Sequence, residues 1–408
     1  MGYTKSKKDT EFTLYRHQQE LVDLAPKKYL LHHECGTGKS LTAIKLCDKL
    51  CKTVLVICPK SIKDQWIENI KELSDNPEGY KVLTKEEFKK QHKDLETMQG
   101  IIWDEIHYAA NYKSQIHKAT MAYIKRVKPE CIYGLTATVY LSSAWNIYSV
   151  AHILGHDWNW MKFKREFFFD IKMGSKTIPK QREGIEPKIA ILVNELGNTV
   201  RMDECVDIPE QVFETETFDL TPSQKKAIKE VKETEVNHIV RWTKTHQICG
   251  GSLKGDGYTK DQFFKNEKIA RLKDLASAHK KLVVVCRYNN EIDYIVDELG
   301  MDYEILKIRG STKDRHRVVE AANDFDECIV LVNAACSEGY ELPTFPLMIF
   351  YSYDFSLKNY LQMIGRIQRI NKIKKNVYLS LIVKGTIDED VFNCIKRKKD
   401  FDIEIYNK

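Results

Sequence analysis

The sequence lacks the features that would direct a chain into a membrane or a secretory pathway. Its 408 residues contain no uncharged apolar run of about 18 residues. The segment from Met1 to Phe12 is polar and lysine-bearing, without the apolar centre of a signal peptide. Low-complexity segments are missing as well. We therefore expect a folded protein that stays in the cytoplasm and has no membrane partner.

Paired cysteines are also lacking. The 11 cysteines are scattered singly, and Cys47 and Cys51, which could share a helix face, have no second pair at zinc-ligand spacing. Several others, such as Cys58, Cys286 and Cys328, lie inside apolar, strand-like runs. We predict buried structural thiols in a reducing compartment rather than disulfides or metal ligands.

A strong overall charge is missing too, because the net charge is only +6. The excess lies in one segment, Lys358 to Lys408, which has 12 Lys and Arg against 6 Asp and Glu. A basic stretch of this kind can follow a phosphate backbone. It can equally be a solvated basic face, so charge alone leaves both interpretations open.

Short apolar runs that alternate with longer amphipathic stretches dominate the sequence. Those of the first half are Tyr29–Leu31, Val54–Ile57, Ile101–Trp103 and Ile132–Leu135, and those of the second half are Val283–Cys286, Ile305–Ile308, Ile329–Val332, Leu347–Tyr351 and Val377–Ile382. This alternation is typical of βαβ units with a parallel sheet. We predict an α/β protein with one lobe over 1–215, including a helical insertion over about 141–205, and a second lobe over 216–408.

A glycine loop follows the first predicted strand. The segment His33-Glu34-Cys35-Gly36-Thr37-Gly38-Lys39-Ser40 leads directly into an amphipathic stretch. Glycines let backbone N–H groups close around a phosphate, and a helix N-terminus adds partial positive charge. Lys39 would reach the β and γ oxygens of ATP, and the Ser40 hydroxyl would ligate Mg²⁺. Gly36, Thr37 and Gly38 complete this predicted phosphate loop, although His33 stands where the pattern usually has its first glycine.

Two carboxylates end the run Ile101–Trp103. Because the carboxyl ends of parallel strands are where α/β sheets bind ligands, Asp104 and Glu105 are expected beside the phosphate loop. Asp104 would hold Mg²⁺, and Glu105 would orient and deprotonate the attacking water. Alone, an Asp-Glu-Ile-His segment could also be a solvated acidic loop. Together with the phosphate loop it predicts an ATP-hydrolysing site.

The order of these and the following motifs resembles helicase superfamily 2, and most of all its Swi/Snf-like translocases. In the first half, Leu14–Gln18 is similar to the family's adenine-reading motif, and Lys60-Ser61 followed by Gln65-Trp66 to its phosphate-gripping motif. Leu135–Thr138 resembles its coupling motif, departing at Ala137 and Val139. The resemblance implies a RecA-like lobe in which Gln18 contacts adenine and Lys60 and Ser61 contact nucleic acid. It also implies that His107, Thr136 and Thr138 couple ATP hydrolysis to nucleic-acid binding.

The second half carries the remaining motifs of that family. The matching segments are Val283–Tyr288, Gly310–Arg315, Asn333–Leu342 and Gln362–Arg369. The resemblance implies a second RecA-like lobe. Its implied nucleic-acid contacts are Arg287, Ser311, Thr312 and Asn333, Glu341 would hold the ribose, and Gln362 would take part in coupling. Arg366 and Arg369 suit neutralisation of the γ-phosphoryl group, since paired guanidinium groups beside a glycine turn favour bidentate phosphate contact. After Arg369, Asn371 departs from the family pattern.

The resemblance spans about residues 12–395 and implies ATP and Mg²⁺ as cofactors. Backbone contacts position a motor without reading sequence, so we expect weak base preference. The resulting hypothesis is a DNA-dependent ATPase, possible as a monomer, that translocates on duplex DNA in a bacterial or phage-infected cell. It would drive branch migration, fork remodelling or unwinding at forked or four-way DNA in replication, recombination or repair. Two alternatives stay open. One is an RNA helicase, and the other is a nucleotide-gated clamp or motor subunit of a larger complex.

Overall fold

The computed structural model describes residues 14–34, 36–137, 144–173, 176–201, 205, 211–255, 259–368 and 375–397. The chain divides into two compact units, Met1–Asp207 and Ile208–Lys408. Within the part of the chain that the structure describes, no helix is both long and apolar enough to cross a membrane. Each unit contains one large parallel sheet.

The first unit is built on a six-stranded parallel sheet with the strand order β3-β2-β4-β5-β1-β8. Its strands are β1 (Lys28–His33), β2 (Val54–Cys58), β3 (Tyr80–Thr84), β4 (Gly100–Asp104), β5 (Cys131–Thr136) and β8 (Gly197–Val200), and β6 (Phe168–Met173) and β7 (Lys176–Gln181) form a separate antiparallel hairpin. Its helices are α1 (Arg16–Leu24), α2 (Lys39–Leu50), α3 (Lys63–Leu73), α4 (Lys85–Gln91), α5 (Gln115–Val127), α6 (Ala144–Ile153), α7 (Trp160–Phe167) and α8 (Glu186–Leu196).

The first sheet is buried on both faces because successive side chains of a strand point to opposite sides. In β4, Ile102 packs into one hydrophobic cluster with α2 and α3, whereas Ile101 and Trp103 pack into another with α5 to α8. At the far edge, β8 approaches β1 so closely that a Cβ on Gly197 would lie 1.8 Å from the Leu30 carbonyl oxygen. Glycine at this position is therefore required for the pairing.

The predicted helical insertion contains more than helices. Helices α6, α7 and α8 lie in it as expected, but the hairpin β6–β7 and the edge strand β8 lie there too. Because β8 pairs with β1 in parallel, the end of this segment belongs to the main sheet.

The second unit is built on a six-stranded parallel sheet with the order β13-β14-β12-β15-β16-β9. Its strands are β9 (Gln211–Phe218), β12 (Lys281–Cys286), β13 (Ile305–Ile308), β14 (Cys328–Asn333), β15 (Leu347–Phe350) and β16 (Asn376–Val383), with β10 (Ser252–Leu253) and β11 (Gln262–Phe263) in a small antiparallel pair. Its helices, numbered on from the first unit, are α9 (Pro222–Thr234), α10 (His238–Cys249), α11 (Glu267–Ala278), α12 (Asn289–Leu299), α13 (Arg315–Asp324), α14 (Leu357–Ile364) and α15 (Ile387–Lys396).

The boundary between the units falls between Asp207 and Ile208. The sequence placed it between residues 215 and 216, which lies inside β9. Because β9 pairs along its whole length with β16, from Gln211 opposite Asn376 to Phe218 opposite Val383, it belongs to the second sheet. Two tandem parallel sheets flanked by helices are the two RecA-like lobes that the sequence predicts.

Eight of the described cysteines are buried, and Cys205 and Cys394 are partly exposed. Burial raises the pKa of the Cys58 and Cys286 thiols, so these side chains remain protonated at neutral pH. Strands β2 and β12 thus use cysteine as a small apolar residue.

Candidate active site

The phosphate loop lies where β1 ends and α2 begins. Gly36 and Gly38 have φ values of 88° and 81°, a left-handed conformation that other residues rarely adopt. The Lys39 ammonium donates to the carbonyl oxygens of His33 at 2.6 Å and Glu34 at 2.9 Å. The Thr37 hydroxyl donates to the same Glu34 carbonyl at 2.8 Å. The loop is therefore closed around a lysine at the N-terminus of a helix, which is an arrangement suited to phosphate.

Gln18 joins α1 to the phosphate loop. Its side chain is 0% exposed and its carbonyl oxygen accepts the Tyr15 N–H at 2.8 Å. Its amide group donates to the carbonyl oxygens of Thr37 and Gly38, both at 3.3 Å. The predicted adenine contact of Gln18 stays a prediction, and the observed contacts give the residue a role in holding the loop.

Asp104 and Glu105 lie at the carboxyl end of β4. Asp104 is 8% exposed, and its Oδ1 accepts the Glu105 N–H at 3.0 Å. Its Oδ2 accepts the indole N–H of Trp66, in α3, at 2.7 Å. Burial, followed by the neighbouring Glu105 charge, raises the pKa of Asp104 to about 7, although Trp66 and Lys39 oppose the shift. A nearby cation would therefore favour the ionised form of Asp104.

Glu105 has φ 52° and ψ 55°, which is strained for a residue with a side chain and costs roughly 1 kcal/mol. Its carboxylate lies 3.0 Å from the His107 ring and accepts the Thr136 hydroxyl at 3.3 Å. The ring and that hydroxyl are also 3.2 Å apart. Since Thr136 ends β5, the structure brings two of the predicted coupling residues together on Glu105, while Thr138 lies outside the described residues.

The residues around Asp104 fit a magnesium site. Among the described residues no group of three or more His, Cys, Asp or Glu side chains could hold a metal ion. Mg²⁺ is usually bound by one or two protein oxygens together with nucleotide phosphates and waters, so such a cage is not needed. Ser40 lies at the start of α2, after β1, and Asp104 is the last residue of β4. The carboxyl ends of these two strands lie at the same edge of the sheet.

Lys60 and Ser61 lie on the same edge of the first sheet. They follow β2, which pairs in parallel with β4, and form a short 3-10 helix over Lys60–Ile62 that leads into α3. Both residues are exposed. The predicted nucleic-acid contacts of this lobe are thus accessible from solvent.

In the second lobe, Arg287 and Asn333 come together at the ends of β12 and β14. The Arg287 guanidinium forms an ion pair with Asp354 at 2.8 Å. The Asn333 amide donates to the Arg287 carbonyl oxygen at 3.3 Å and to the Asn289 side chain at 3.1 Å. The end of β12 is therefore fixed by hydrogen bonds and a carboxylate.

The turn after β13 contains the other two predicted contacts. Ser311 is exposed. The Thr312 hydroxyl donates to the Lys307 carbonyl oxygen at 3.2 Å and accepts the Arg309 N–H at 2.9 Å. Thr312 thus stabilises the turn that presents Ser311.

Gln362 and Arg366 connect two motifs of the second lobe. The buried Gln362 accepts the Ser337 hydroxyl at 2.8 Å and donates to Glu338 at 3.2 Å. The Arg366 guanidinium donates to the carbonyl oxygens of Gln362 at 3.0 Å and Tyr340 at 2.8 Å. Glu341, next to Tyr340, is partly buried. Arg369 lies outside the described residues.

Known protein families match both lobes. Residues 11–141 match the family described as type III restriction enzyme, res subunit, and residues 267–371 match the helicase conserved C-terminal domain. A SWI/SNF-related matrix-associated actin-dependent regulator of chromatin, subfamily A-like protein 1, of Drosophila melanogaster is 22% identical over a 406-residue alignment that covers 91% of this chain. The chain is a Swi/Snf-like member of helicase superfamily 2. It is a helicase-type ATPase, with one family match in each lobe.

Two further matches to this Swi/Snf-like protein differ in how much of the chain they cover. A 71-residue stretch, 15% of this chain and 14% of the relative, is 44% identical to an African swine fever virus protein named as an ATP-dependent RNA helicase. The Sulfolobus solfataricus SWI2/SNF2 ATPase core in complex with dsDNA is 18% identical and covers 94% of this chain and 91% of its own, with a TM-score of 0.43. The chain spans 53% of the length of the Drosophila relative.

Sequence reasoning missed several partners of the motif residues in this Swi/Snf-like core. Trp66 was placed in the phosphate-gripping motif, yet its indole contacts the predicted magnesium ligand. Asp354 and Glu338, which pair with Arg287 and Gln362, were not singled out. Burial at Trp66, Ile70 and Leu73 follows helical spacing and predicts a core helix face. Which carboxylate the indole N–H contacts depends on tertiary structure, so no sequence signal identifies Asp104 as the hydrogen-bond partner of Trp66.

Proposed function

We propose that this chain is a DNA-dependent ATPase that translocates on duplex DNA and remodels forked or four-way DNA by branch migration or unwinding. The observation that supports it most is that the predicted nucleotide-binding and nucleic-acid-binding residues of the first lobe lie at the same edge of the first sheet, where its strands have their carboxyl ends. The phosphate loop, the Asp104-Glu105 pair and the exposed Lys60 and Ser61 follow parallel strands of one sheet. Nucleotide chemistry and a phosphate-backbone contact can therefore influence each other through a few residues.

The proposed chemistry assigns a task to each residue of the first lobe. Lys39 binds the β and γ oxygens of ATP, and Ser40 and Asp104 hold Mg²⁺. Magnesium, when bound, offsets the negative charge of the phosphates. Glu105 orients the attacking water and accepts its proton, while His107 and Thr136 fix the Glu105 carboxylate through the contacts described above.

The second lobe is proposed to complete the reaction. Arg366 and Arg369 would neutralise charge on the γ-phosphoryl group, and Glu341 would bind the ribose. Arg366 now donates to two backbone carbonyl oxygens. Exchange of these neutral acceptors for an anionic phosphate would add the attraction of an ion pair and a bidentate geometry to the hydrogen bonds of the guanidinium.

Phosphate contacts are proposed to give the motor its grip on nucleic acid. Lys60 and Ser61 in the first lobe and Arg287, Ser311 and Thr312 in the second would bind the backbone, with Asn333 supporting Arg287. Such contacts carry little base specificity and weaken with salt. The Swi/Snf-like motif set favours duplex DNA as the track.

Two alternatives have observations in their favour. The stretch that is 44% identical to a protein named as an RNA helicase favours RNA. The family model matched by residues 11–141 is named after a restriction-enzyme subunit and favours a larger complex. Both can be separated from the proposal by measuring the isolated chain.

The test is steady-state ATP hydrolysis by the purified chain with no nucleic acid, single-stranded DNA, duplex DNA, a fork, a four-way junction or structured RNA. We expect duplex-containing DNA to stimulate turnover most and Glu105→Gln to lower it at least about 100-fold, as expected for loss of a general base. Stronger stimulation by RNA would support the RNA helicase. An isolated chain without measurable turnover would support the clamp or the subunit.

A further inference from the structure

A hydrogen bond joins the first turn of α3 to Asp104, the predicted magnesium ligand. This end of α3 directly follows the exposed Lys60-Ser61 segment. Trp66 is 2% exposed, and its indole N–H donates to Asp104 Oδ2 at 2.7 Å. An indole N–H is a donor only, so the contact fixes which carboxylate oxygen faces α3. The other oxygen accepts the Glu105 N–H at 3.0 Å, and the carboxylate is held from two sides.

Trp66 and the predicted DNA contacts belong to one short segment. Lys60 and Ser61 lie in the 3-10 helix Lys60–Ile62, and α3 begins at the next residue, Lys63, so Trp66 lies in its first turn after the exposed end. Trp66, Ile70 and Leu73 anchor this helix in the hydrophobic cluster on one face of the sheet. A shift of the Lys60-Ser61 segment on DNA binding would therefore move the Trp66 indole.

We propose that Trp66 is a positioning residue that links the Lys60-Ser61 segment to the Asp104 carboxylate, so that duplex DNA on the segment raises the affinity of the site for magnesium-bound nucleotide. The inference deepens the proposed function, and the part of it that concerns DNA rests on that function. Coupling of two ligands is reciprocal, so bound magnesium-nucleotide would in turn favour DNA binding. Partners of metal ligands typically change metal affinity about 10- to 100-fold when removed.

Trp103 provides a matched control. It is 0% exposed and lies in β4 directly before Asp104, but its side chain packs into the hydrophobic cluster on the opposite face of the sheet. Its indole nitrogen is buried without a hydrogen-bond partner. Trp103→Phe therefore removes an indole of equal size at an equally buried position without touching the carboxylate.

The first experiment needs no DNA and no turnover. Binding of a fluorescent ATP analogue is titrated with Mg²⁺ in the full chain, in Trp66→Phe and in Trp103→Phe. We expect Trp66→Phe to raise the Mg²⁺ concentration for half-maximal binding about 10-fold and Trp103→Phe to leave it within about twofold. Equal Mg²⁺ dependence in the two variants would overturn the inference. If Trp66→Phe fails to fold, β-(3-benzothienyl)alanine at position 66 keeps the indole shape without its N–H, and the same expectations apply.

The second experiment measures the link to DNA. The ratio of ATP turnover with and without duplex DNA is compared among the full chain, Lys60→Ala, Trp66→Phe and the double variant. We expect each single change to lower the ratio at least about fivefold, the lower end of typical coupling, and the double change to lower it no further. Additive losses, or an unchanged ratio in Trp66→Phe, would overturn the link. An unstimulated full chain would instead contradict the proposed function and leave the magnesium titration as the test of Trp66.

Discussion

His33 stands where the phosphate-loop pattern usually has glycine, and its imidazole is 0% exposed. The ring nitrogen Nε2 lies 2.8 Å from the Asn198 side-chain oxygen, in β8. Burial lowers the pKa of His33 to about 3, with smaller effects of the same sign from Lys39 and opposition from Asn198. The neighbouring His32 has a pKa lowered to about 4, again chiefly by burial. Both rings are neutral in the folded lobe at neutral pH.

These histidines predict acid sensitivity of the first lobe. The unfolded chain binds a proton at each ring below about pH 6.5. The folded chain does not bind it until much lower pH, so the free energy of unfolding falls as the pH drops from about 6.5 toward 4. The slope is about 1.4 kcal/mol per pH unit for each fully titrating ring. Above about pH 6.5 both rings are neutral in the folded and the unfolded chain, so they no longer lower the free energy of unfolding.

His33→Gln tests this at a single residue. The glutamine amide can still donate to Asn198 but does not titrate, so we expect urea unfolding between pH 4.5 and 6.5 to lose about 1.4 kcal/mol per pH unit of slope. The exposed His279 provides a control, since His279→Gln should retain the original slope. A His33→Gln variant with the same pH dependence as the unaltered chain would disprove the assignment.

The sequence predicted where the motif residues lie in the fold but not which side chains surround them. Lys39, Asp104 and Glu105 could be predicted because strand, loop and charge spacing place them at one edge of a parallel sheet. The strained backbone of Glu105 and the indole on Asp104 could not, since both depend on how α3 and β5 pack against β4. The same holds for Gln18, whose contacts with the loop backbone appear only in three dimensions.

Between elements, a buried ion pair joins α11 to α15 in the second lobe. The Lys268 ammonium donates to Asp388 Oδ2 at 2.6 Å and to the Tyr351 carbonyl oxygen at 2.8 Å. Burial alone would raise the pKa of Asp388, but Lys268 and His246, in α10, outweigh it and lower the pKa to about 2. Three helices and the end of β15 therefore converge on one carboxylate.

Lys268→Met would leave the Asp388 charge buried without its main counter-ion. We expect the free energy of unfolding of the second lobe to fall by about 3–5 kcal/mol. The exposed pair Lys280–Glu327, whose side chains are 77% and 64% exposed, is the matched control, and Lys280→Met should leave the free energy of unfolding almost unchanged. Urea denaturation of both variants is the measurement, and equal losses would show that the buried pair contributes no more than a surface one.

All but one of the strands predicted from the sequence are central ones, and the exception is β13, at the edge of the second sheet. Runs such as Val54–Ile57 and Ile329–Val332 are buried on both faces and lie inside β2 and β14. The strand β3 was missed because its first residues are only partly buried, and β8 because Gly-Asn-Thr-Val carries no apolar run. Edge strands depend on the neighbour they pair with, so their sequences are weaker signals.

For the whole molecule, the same effect moved the domain boundary. The border was expected between residues 215 and 216, which lie inside β9, an edge strand of the second sheet. The pattern of alternating strands and helices fixed the number of lobes, because each lobe repeats it independently. The motifs then assigned nucleotide chemistry to the first lobe and the arginines to the second.

Movement along duplex DNA is measured most directly by the displacement of a third strand. A duplex carrying a fluorescent triplex-forming strand downstream of a free flank is incubated with the chain and ATP. We expect release of that strand that requires ATP, is lost in Glu105→Gln and slows as salt rises, because the grip depends on phosphate contacts. DNA-stimulated ATP hydrolysis without any release of the third strand would contradict translocation on duplex DNA.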